Sequence, residues 1–299
     1  MKVWVLRANE NWICDQLADE WQSNNPDMST SDLRRADVVW LLADWAWRQV
    51  PMEVLRSRKV VTTVHHIVPE KFDRAEKMDF AARDAVTTLY HVYNQRTLDF
   101  IRPLTKKPIC LVPYWANGNA WKKTSDKVEL RRQYGLPQTA YIVGSFQRDT
   151  EGHDLKSPKL EKGPDLLADA MIAYHERIDN VFVLLGGWRR QYIIGRLEAA
   201  GVPYTYFERP PQVTLNDLYQ TLDLYLVTAR HEGGPQALIE CGLLRVPVAT
   251  RPVGIAEQLL PSSAIADDVM FATPSVPNVE SMKIPDGMLG YRKMFEELK

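Results

Sequence analysis

The chain has 299 residues, of which 45% are hydrophobic and 25% charged, and its formal net charge is −1. This length is typical of two domains, and the composition is that of a globular protein rather than a membrane protein or a disordered chain. The near-neutral charge excludes a general attraction to nucleic acid, and no apolar run approaches the roughly 20 residues needed to span a bilayer.

The charge is unevenly distributed along the chain. Residues 1–133 contain 21 Lys and Arg against 17 Asp and Glu, whereas the remainder contains 16 against 21. A basic first half favours an acidic acceptor or peripheral contact with an anionic membrane surface, although ordinary solvated charge explains it equally well. The three widely spaced cysteines lack metal-ligand spacing, which predicts reduced thiols and a cytoplasmic protein.

Short apolar runs alternate with amphipathic stretches in the first half. The predicted strands are Val3–Leu6, Val38–Leu42, Val60–Val64, Ala85–Tyr90 and Ile109–Val112. The predicted helices are Trp12–Ser23, Met52–Arg58, Asp73–Ala82 and Gln95–Ile101. This strict alternation predicts a parallel sheet with helices on both faces.

The same alternation restarts in the second half, after a short predicted helix at Leu130–Tyr134. The predicted strands are Ala140–Ser145, Val181–Gly186, Pro203–Phe207, Leu222–Val227 and Val246–Thr250. The predicted helices are Pro164–His175, Arg190–Ala200, Leu215–Thr221 and Pro235–Leu244. We therefore predict an α/β protein with domains at residues 1–125 and 126–285, followed by a terminal helix at 286–299.

The most informative segment joins a predicted strand to a predicted helix at residues 230–244. Glu232 and Glu240 bracket seven residues, and Gly233-Gly234-Pro235 between them indicates a tight turn followed by a helix start. The free amides and positive dipole of a helix N-terminus suit an anionic phosphate, and glycine allows a ligand to approach the backbone.

This segment resembles the E-x7-E motif of family-4-like retaining glycosyltransferases of the GT-B fold. Two further segments are similar to that family: Leu-Val-Pro-Tyr-Trp-Ala-Asn-Gly-Asn from Leu111, and Ile-Val-Gly-Ser-Phe-Gln-Arg ending at Arg148. The resemblance implies two Rossmann-like domains whose parallel sheets face a central cleft, with a terminal helix that crosses back to the first domain. It also implies a hexosyltransferase that moves a sugar from a nucleotide-diphosphate sugar to a hydroxyl of a glycan, glycolipid or small molecule.

The resemblance implies a role for several residues. Arg148 and Lys162 would grip the diphosphate, although Lys156 and Lys159 in the intervening polar loop leave open which lysine does so. Glu232 would support the donor sugar, and Glu240 would receive the ribose hydroxyls. The remaining donor-binding candidates are Ser145, Arg209, Gly233, Gly234, Pro235, Gln236, Ala237 and Leu238.

The first domain offers weaker candidates. His65 follows the strand Val60–Val64, at the place where family members carry a histidine in the sugar site, and it is proposed as catalytic. His66 and Asn9 are candidates for the acceptor side. No Asp-x-Asp triplet or metal-ligand cluster is present in the sequence, which predicts a metal-independent enzyme without a cofactor. The alternatives are a non-catalytic relative that binds sugar nucleotides or glycans, and a GT-B-fold sugar-nucleotide epimerase.

Overall fold

The computed structural model describes residues 1–10 and 13–298. The chain forms two compact units, one comprising Met1–Trp115 and Ser281–Lys299 and the other Ala116–Glu280. Residues 116–125, placed by the sequence in the first domain, belong to the second unit, where the Lys122 amide donates to Asn216 Oδ1 at 3.1 Å. Trp12, at the start of the first predicted helix, and Lys299, at the end of the last, lie outside the described residues.

A five-stranded parallel sheet forms the centre of the first unit. Its strands, in sheet order, are β1 (Val3–Val5), β2 (Val38–Leu41), β3 (Lys59–Val64), β4 (Leu89–Val92) and β5 (Ile109–Leu111). The helices between them are α1 (Ile13–Asn24), α2 (Met52–Ser57), α3 (Arg74–Asp84) and α4 (Gln95–Ile101). The predicted alternation of strands and helices is confirmed in this unit.

The fourth strand begins later than predicted. Ala85, the first residue of the predicted strand, closes α3, because its amide donates to the carbonyl of Ala81 at 3.2 Å. Thr87 is buried and its hydroxyl donates to the Arg83 carbonyl at 2.9 Å. The apolar residues at 85–86 therefore belong to the end of the helix, and pairing with β3 starts at Leu89.

The second unit contains another five-stranded parallel sheet, in the order β10-β9-β6-β11-β12. Its strands are β6 (Tyr141–Phe146), β9 (Val181–Gly187), β10 (Tyr204–Glu208), β11 (Leu224–Val227) and β12 (Val248–Thr250), and a two-stranded antiparallel ribbon adds β7 (Thr150–Glu151) and β8 (Ser157–Pro158). The helices are α5 (Lys127–Gln133), α6 (Pro164–Arg177), α7 (Gln191–Ala199), α8 (Gln212–Gln220), α9 (Gln236–Leu244) and α10 (Ala256–Leu259).

The inner strands of the second sheet, β6, β9 and β11, are largely buried on both faces, as a sheet covered by helices requires. Leu167 and Met171 of α6 are fully buried in one core cluster with Val183 and Leu185 of β9. The polar stretch 149–161, predicted to be a loop, contains the small ribbon of β7 and β8.

The last helix, α11 (Leu289–Glu296), packs within the first unit. The Tyr291 hydroxyl donates to the Pro113 carbonyl at 3.0 Å. The ring of Phe295 lies 5.2 Å from the rings of both Trp21 and Trp40, in edge-on contacts. These aromatic contacts bury much apolar area, which explains why a helix so late in the sequence is held by the first unit.

Candidate functional site

The strand order of the second unit defines where a ligand is expected. From β6 the chain passes to β9 and then β10 on one side of the sheet, and afterwards returns to β11 and β12 on the other side. The direction in which successive strands are added to the sheet therefore reverses between β6 and β11. Ligands of open parallel sheets bind at such a switch point, beyond the carboxyl ends of the strands.

A close backbone approach joins the two segments that flank this switch point. Gly163 precedes α6 with a φ of 61°, and a Cβ atom placed on it would lie 2.0 Å from the carbonyl oxygen of Thr228, just after β11. The Thr228 hydroxyl donates to the Gly163 carbonyl at 2.9 Å, and the amides of Arg230 and His231 donate to the Glu161 carbonyl at 2.9 and 3.1 Å. Only glycine allows this contact, which fixes residues 161–163 against 228–231.

The close approach brings together two of the predicted site residues. Lys162 Nζ forms an ion pair with Glu232 Oε1 across a sequence separation of 70 residues. Their side chains are 21% and 16% exposed, so the pair is partly shielded but still reachable from solvent. Gln147 holds the lysine backbone by donating from Nε2 to the Lys162 carbonyl at 3.0 Å. Lys159 pairs instead with Glu161 at 3.6 Å, so Lys162 is the lysine that lies beside Glu232.

Arg148 lies just beyond β6, on the same edge of the sheet. Its Nε donates to the Thr150 carbonyl at 3.2 Å, and its guanidinium lies 4.9 Å from the ring centroid of Trp188. The side chain is half-buried and, within the described chain, forms no ion pair with a carboxylate. Its charge is therefore available to an anionic ligand.

The turn Gly233-Gly234-Pro235 is buried and leads into α9. Pro235 caps this helix, whereas the sequence placed it at the first helical position. The Leu238 amide donates to the Pro235 carbonyl at 2.9 Å, so the amides of Gln236 and Ala237 precede the first bond within the helix. Leu238 itself is fully buried in the core.

Glu240 lies within α9, which follows this turn. The Tyr219 hydroxyl donates to its Oε2 at 2.5 Å. Burial of the carboxyl group raises the pKa of Glu240 from its ordinary value of 4.5 to about 7, and the bond from Tyr219 opposes this rise only in part. The group therefore changes charge close to neutral pH.

The raised pKa of Glu240 predicts a pH-dependent stability. Between pH 4.5 and 7 the folded protein holds a proton that the unfolded chain has lost, so the free energy of unfolding falls as pH rises through this window. The expected loss is roughly 3 kcal/mol. Urea unfolding at pH 5, 6, 7 and 8 measures it. Glu240→Gln should lack this component, and equal pH slopes for both proteins would contradict the assignment.

Two further residues predicted to bind the donor, Ser145 and Arg209, differ in burial. Ser145 is fully buried; its carbonyl accepts from Arg190 Nη1 at 2.6 Å and its hydroxyl accepts from Nη2 at 3.3 Å. Arg190, predicted to open a helix, caps α7; it is wholly buried and pairs with Asp149 at 2.5 Å. Arg209 follows β10 as an exposed residue, 4.2 Å from the ring centroid of Trp188.

The candidates of the first unit lie at the carboxyl ends of β1 and β3. His65 Nε2 lies 2.8 Å from the Leu42 carbonyl, which can only accept, so Nε2 carries the proton and Nδ1 accepts from the Tyr114 hydroxyl at 3.3 Å. Both ring nitrogens are thus engaged. His66 follows as a half-buried residue, and the Asn9 amide donates to Asp15 Oδ1 at 2.9 Å.

Cys14 also touches His65, with 3.6 Å between Sγ and Nε2. This contact is not that of a nucleophile and its base, because burial and neighbouring carboxylates raise the pKa of the Cys14 thiol to about 12. Among residues 1–10 and 13–298, no group of three or more His, Cys, Asp or Glu side chains is arranged to hold a metal ion.

Sequence reasoning missed two residues at the sheet edge, Trp188 and Arg189. They follow β9 directly, beside Arg148 and Arg209. The run Gly-Gly-Trp-Arg-Arg after a predicted strand was the available signal.

A separate cavity of about 300 Å³ is lined by residues that include Asp169, Arg251 and Phe271, and none of the predicted site residues borders it.

No protein-family model matches the chain, and no curated protein matches its sequence. Solved structures do match. HepE from Anabaena, in complex with UDP-glucose, aligns with a TM-score of 0.65 and 14% identity over 99% of this chain and 90% of HepE. Sucrose-phosphate synthase from Thermosynechococcus elongatus aligns with a TM-score of 0.68 and 16% identity, over 97% of this chain and 79% of the synthase. WaaG, a glycosyltransferase involved in lipopolysaccharide biosynthesis, aligns with a TM-score of 0.61 and 13% identity, over 86% of this chain and 83% of WaaG.

These neighbours are GT-B glycosyltransferases, and at such identities the likeness establishes the fold. The chain therefore has the α/β GT-B fold with two Rossmann-like units, which confirms the predicted fold class. Across the described ranges, no helix is long and apolar enough to cross a membrane.

Proposed function

We propose that this protein is a retaining, metal-independent glycosyltransferase of the family-4-like type. It transfers a sugar from a nucleotide-diphosphate sugar to a hydroxyl group of a glycan, glycolipid or small molecule. The observation that carries the proposal is the ion pair of Lys162 with Glu232 at the switch point of the second sheet. The complexes of HepE with UDP and UDP-glucose support the class of donor.

The charges of the site suit a leaving diphosphate. Lys162, Arg148 and the first amides of α9 offer cations and N–H dipoles from three separate segments of one sheet edge. Groups placed in this way can stabilise charge that develops in the transition state. An arginine binds phosphate through paired N–H groups, whereas a lysine acts as a point charge.

The reaction proceeds by attack on the face from which the leaving group departs. The acceptor oxygen bonds to the anomeric carbon as the bond between that carbon and the phosphate oxygen breaks. The electron pair of the broken bond stays on the phosphate, which takes the acceptor proton. Glu232 supports the positive charge that develops on the sugar, and Glu240 holds the ribose hydroxyls. The products are the glycoside and a nucleoside diphosphate.

Release of nucleoside diphosphate from a panel of UDP-, ADP- and GDP-sugars, with and without sugar acceptors, tests this function. Acceptor-dependent release is the expected result. Binding of a sugar nucleotide without any release would instead identify a non-catalytic relative, and conversion of the sugar into an isomer would identify an epimerase.

We expect Glu240→Ala to weaken nucleotide binding about 10–100-fold at pH 8, where the Glu240 carboxyl group is ionised, because the ribose hydroxyls lose a charged acceptor worth roughly 1.5–3 kcal/mol. Calorimetric titration with free UDP measures the change. Glu257→Ala, which removes an exposed carboxylate of the same unit, is the control. Unchanged affinity in Glu240→Ala would remove this residue from the site.

We also expect activity to survive excess EDTA with little loss. The reason is that Arg148, Lys162 and the start of α9 supply positive charge. These groups can neutralise a diphosphate where other enzymes use Mg²⁺. Donor turnover before and after chelation, and again with added Mg²⁺ or Mn²⁺, provides the measurement. Complete loss on chelation with recovery on Mn²⁺ would contradict metal independence.

A further inference from the structure

Three neighbouring strands of the second sheet each deliver an arginine to the same edge. Arg148 follows β6, Arg189 follows β9 and Arg209 follows β10. The strands are parallel and adjacent, with Phe146 opposite Gly186 and Gly187 opposite Glu208. Their carboxyl ends are therefore level, so the topology gathers the three arginines although they are far apart in sequence.

One indole ring lies at the centre of these arginines. The guanidinium carbons of Arg148, Arg189 and Arg209 lie 4.9, 4.7 and 4.2 Å from the ring centroid of Trp188. Each distance is within the range of a cation–π interaction, and tryptophan is the strongest aromatic partner for such contacts. Trp188 therefore holds three cations in a small region, where their mutual repulsion would otherwise separate them.

The three arginines of this cluster are not engaged in ion pairs with any described residue. None of the three arginines forms an ion pair with a carboxylate in the described part of the chain, whereas neighbouring Arg190 is paired with Asp149. Arg189 donates from Nη1 only to the Gly152 carbonyl, at 3.4 Å. A cluster of three guanidinium groups that form no ion pair within the described residues, in a protein whose net charge is −1, favours an anionic ligand.

Backbone conformation adds an independent observation. Arg189 and Arg209 have φ values of 55° and 45°, in the left-handed region that residues other than glycine rarely adopt. Each such conformation costs of order 1 kcal/mol or more, and strain of this kind concentrates at ligand sites. Two arginines that contact Trp188 are thus held in an unfavourable backbone conformation.

We propose that Trp188, Arg148, Arg189 and Arg209 form one site for a phosphate-bearing ligand. Arg189 is a further binding residue in it, and Trp188 is a positioning residue that orients the three guanidinium groups. The proposal deepens the proposed function and rests on it in one respect, namely that the phosphate belongs to the donor diphosphate or to a phosphorylated acceptor. Planar guanidinium groups match phosphate oxygens in geometry as well as charge.

Calorimetric titrations with UDP, inorganic pyrophosphate, uridine and glucose 6-phosphate test the proposal, the last probe with and without saturating UDP. We expect Arg189→Gln and Trp188→Ala each to weaken binding of the phosphate-bearing probes about tenfold and to leave uridine unaffected. Trp188→Phe should restore most of the affinity, because phenylalanine keeps an aromatic face. Arg196→Gln, which removes an arginine of α7 that is paired with Asp169, is the control.

The probes separate the two sources of phosphate. Weakened UDP and pyrophosphate binding assigns the site to the donor, and weakened glucose 6-phosphate binding in the presence of UDP assigns it to the acceptor. Wild-type affinity for every probe in both Arg189→Gln and Trp188→Ala would overturn the proposal. Arg189→Gly provides a second test, since glycine adopts the left-handed conformation freely and removes the guanidinium without straining the turn.

These titrations require no turnover, so the two hypotheses fail separately. If the variants lose phosphate affinity but no donor yields product, the anion site stands and the proposed function falls. If sugar transfer occurs and the variants bind every probe normally, the proposed function stands and the cluster is not a ligand site.

Discussion

Replacing Arg148 by alanine is expected to lower turnover about 10²–10³-fold while the fold is retained. The guanidinium lies at the carboxyl end of β6, contacts only the Thr150 carbonyl and the Trp188 ring, and has no carboxylate partner among the described residues. Its removal costs little packing but takes away a cation that the proposed function assigns to the leaving diphosphate. Steady-state release of nucleoside diphosphate, with circular dichroism as a check on folding, measures the effect.

Lys156→Ala is the matched control for Arg148→Ala. Lys156 is an exposed cation of the same polar segment, and we expect its loss to change turnover less than threefold, since solvent screens exposed charges strongly. A folded Arg148→Ala protein with normal turnover would refute the diphosphate assignment. A large effect of Lys156→Ala in the same experiment would transfer the role to the lysine.

Replacing Asp149 by alanine is expected to have the largest effect on stability, about 3–5 kcal/mol. Arg190 is wholly buried, and its guanidinium bonds to Asp149 and to the carbonyls of Ser145 and Gly186. Burial raises the pKa of Asp149, and the Arg190 charge and hydrogen bonds oppose this rise. Without the carboxylate, Arg190 retains its backbone contacts but loses the counter-charge that makes its burial tolerable.

Urea unfolding of Asp149→Ala and of Asp169→Ala measures this prediction against a matched control. Asp169 forms an exposed ion pair with Arg196 at 2.8 Å, and pairs of that kind contribute about 0–1 kcal/mol. The free energy of unfolding of a typical protein is about 5–15 kcal/mol, so the Asp149 variant should lose a large part of its stability. Similar losses in the two variants would show that the buried pair has no special role.

The alternation of strands and helices could be predicted because it depends on local patterns of apolar residues. The predicted starts of three strands were nevertheless too early by two or more residues, at Ala85, Leu222 and Val246. In each case the amide still bonds to a carbonyl of the preceding helix: to Ala81 at 3.2 Å, to Tyr219 at 3.1 Å and to Cys241 at 2.9 Å. Apolar residues that close a helix cannot be distinguished by periodicity from those that open a buried strand.

The candidate site could be predicted only in part, because its contacts depend on the order of strands. The sequence identified Glu232 and left open which of three lysines binds the diphosphate. It did not indicate the contact between Lys162 and Glu232, which depends on the approach of Gly163 to Thr228. The arginine cluster needs β10, β9 and β6 to be adjacent, which no local pattern indicates. Ser145 was predicted from the resemblance, and its bonds to buried Arg190 depend on a partner 45 residues away.

Nuclear magnetic resonance of the products from an accepted nucleotide sugar and its acceptor tests the central claim most directly. The proposed function predicts one new glycosidic bond for each nucleoside diphosphate released, with the anomeric configuration of the donor preserved. Arg148→Ala should form the same product at least about a hundredfold more slowly. Product of inverted configuration would contradict the retaining mechanism, and absence of any glycosidic product across the donor panel would contradict the assignment as a glycosyltransferase.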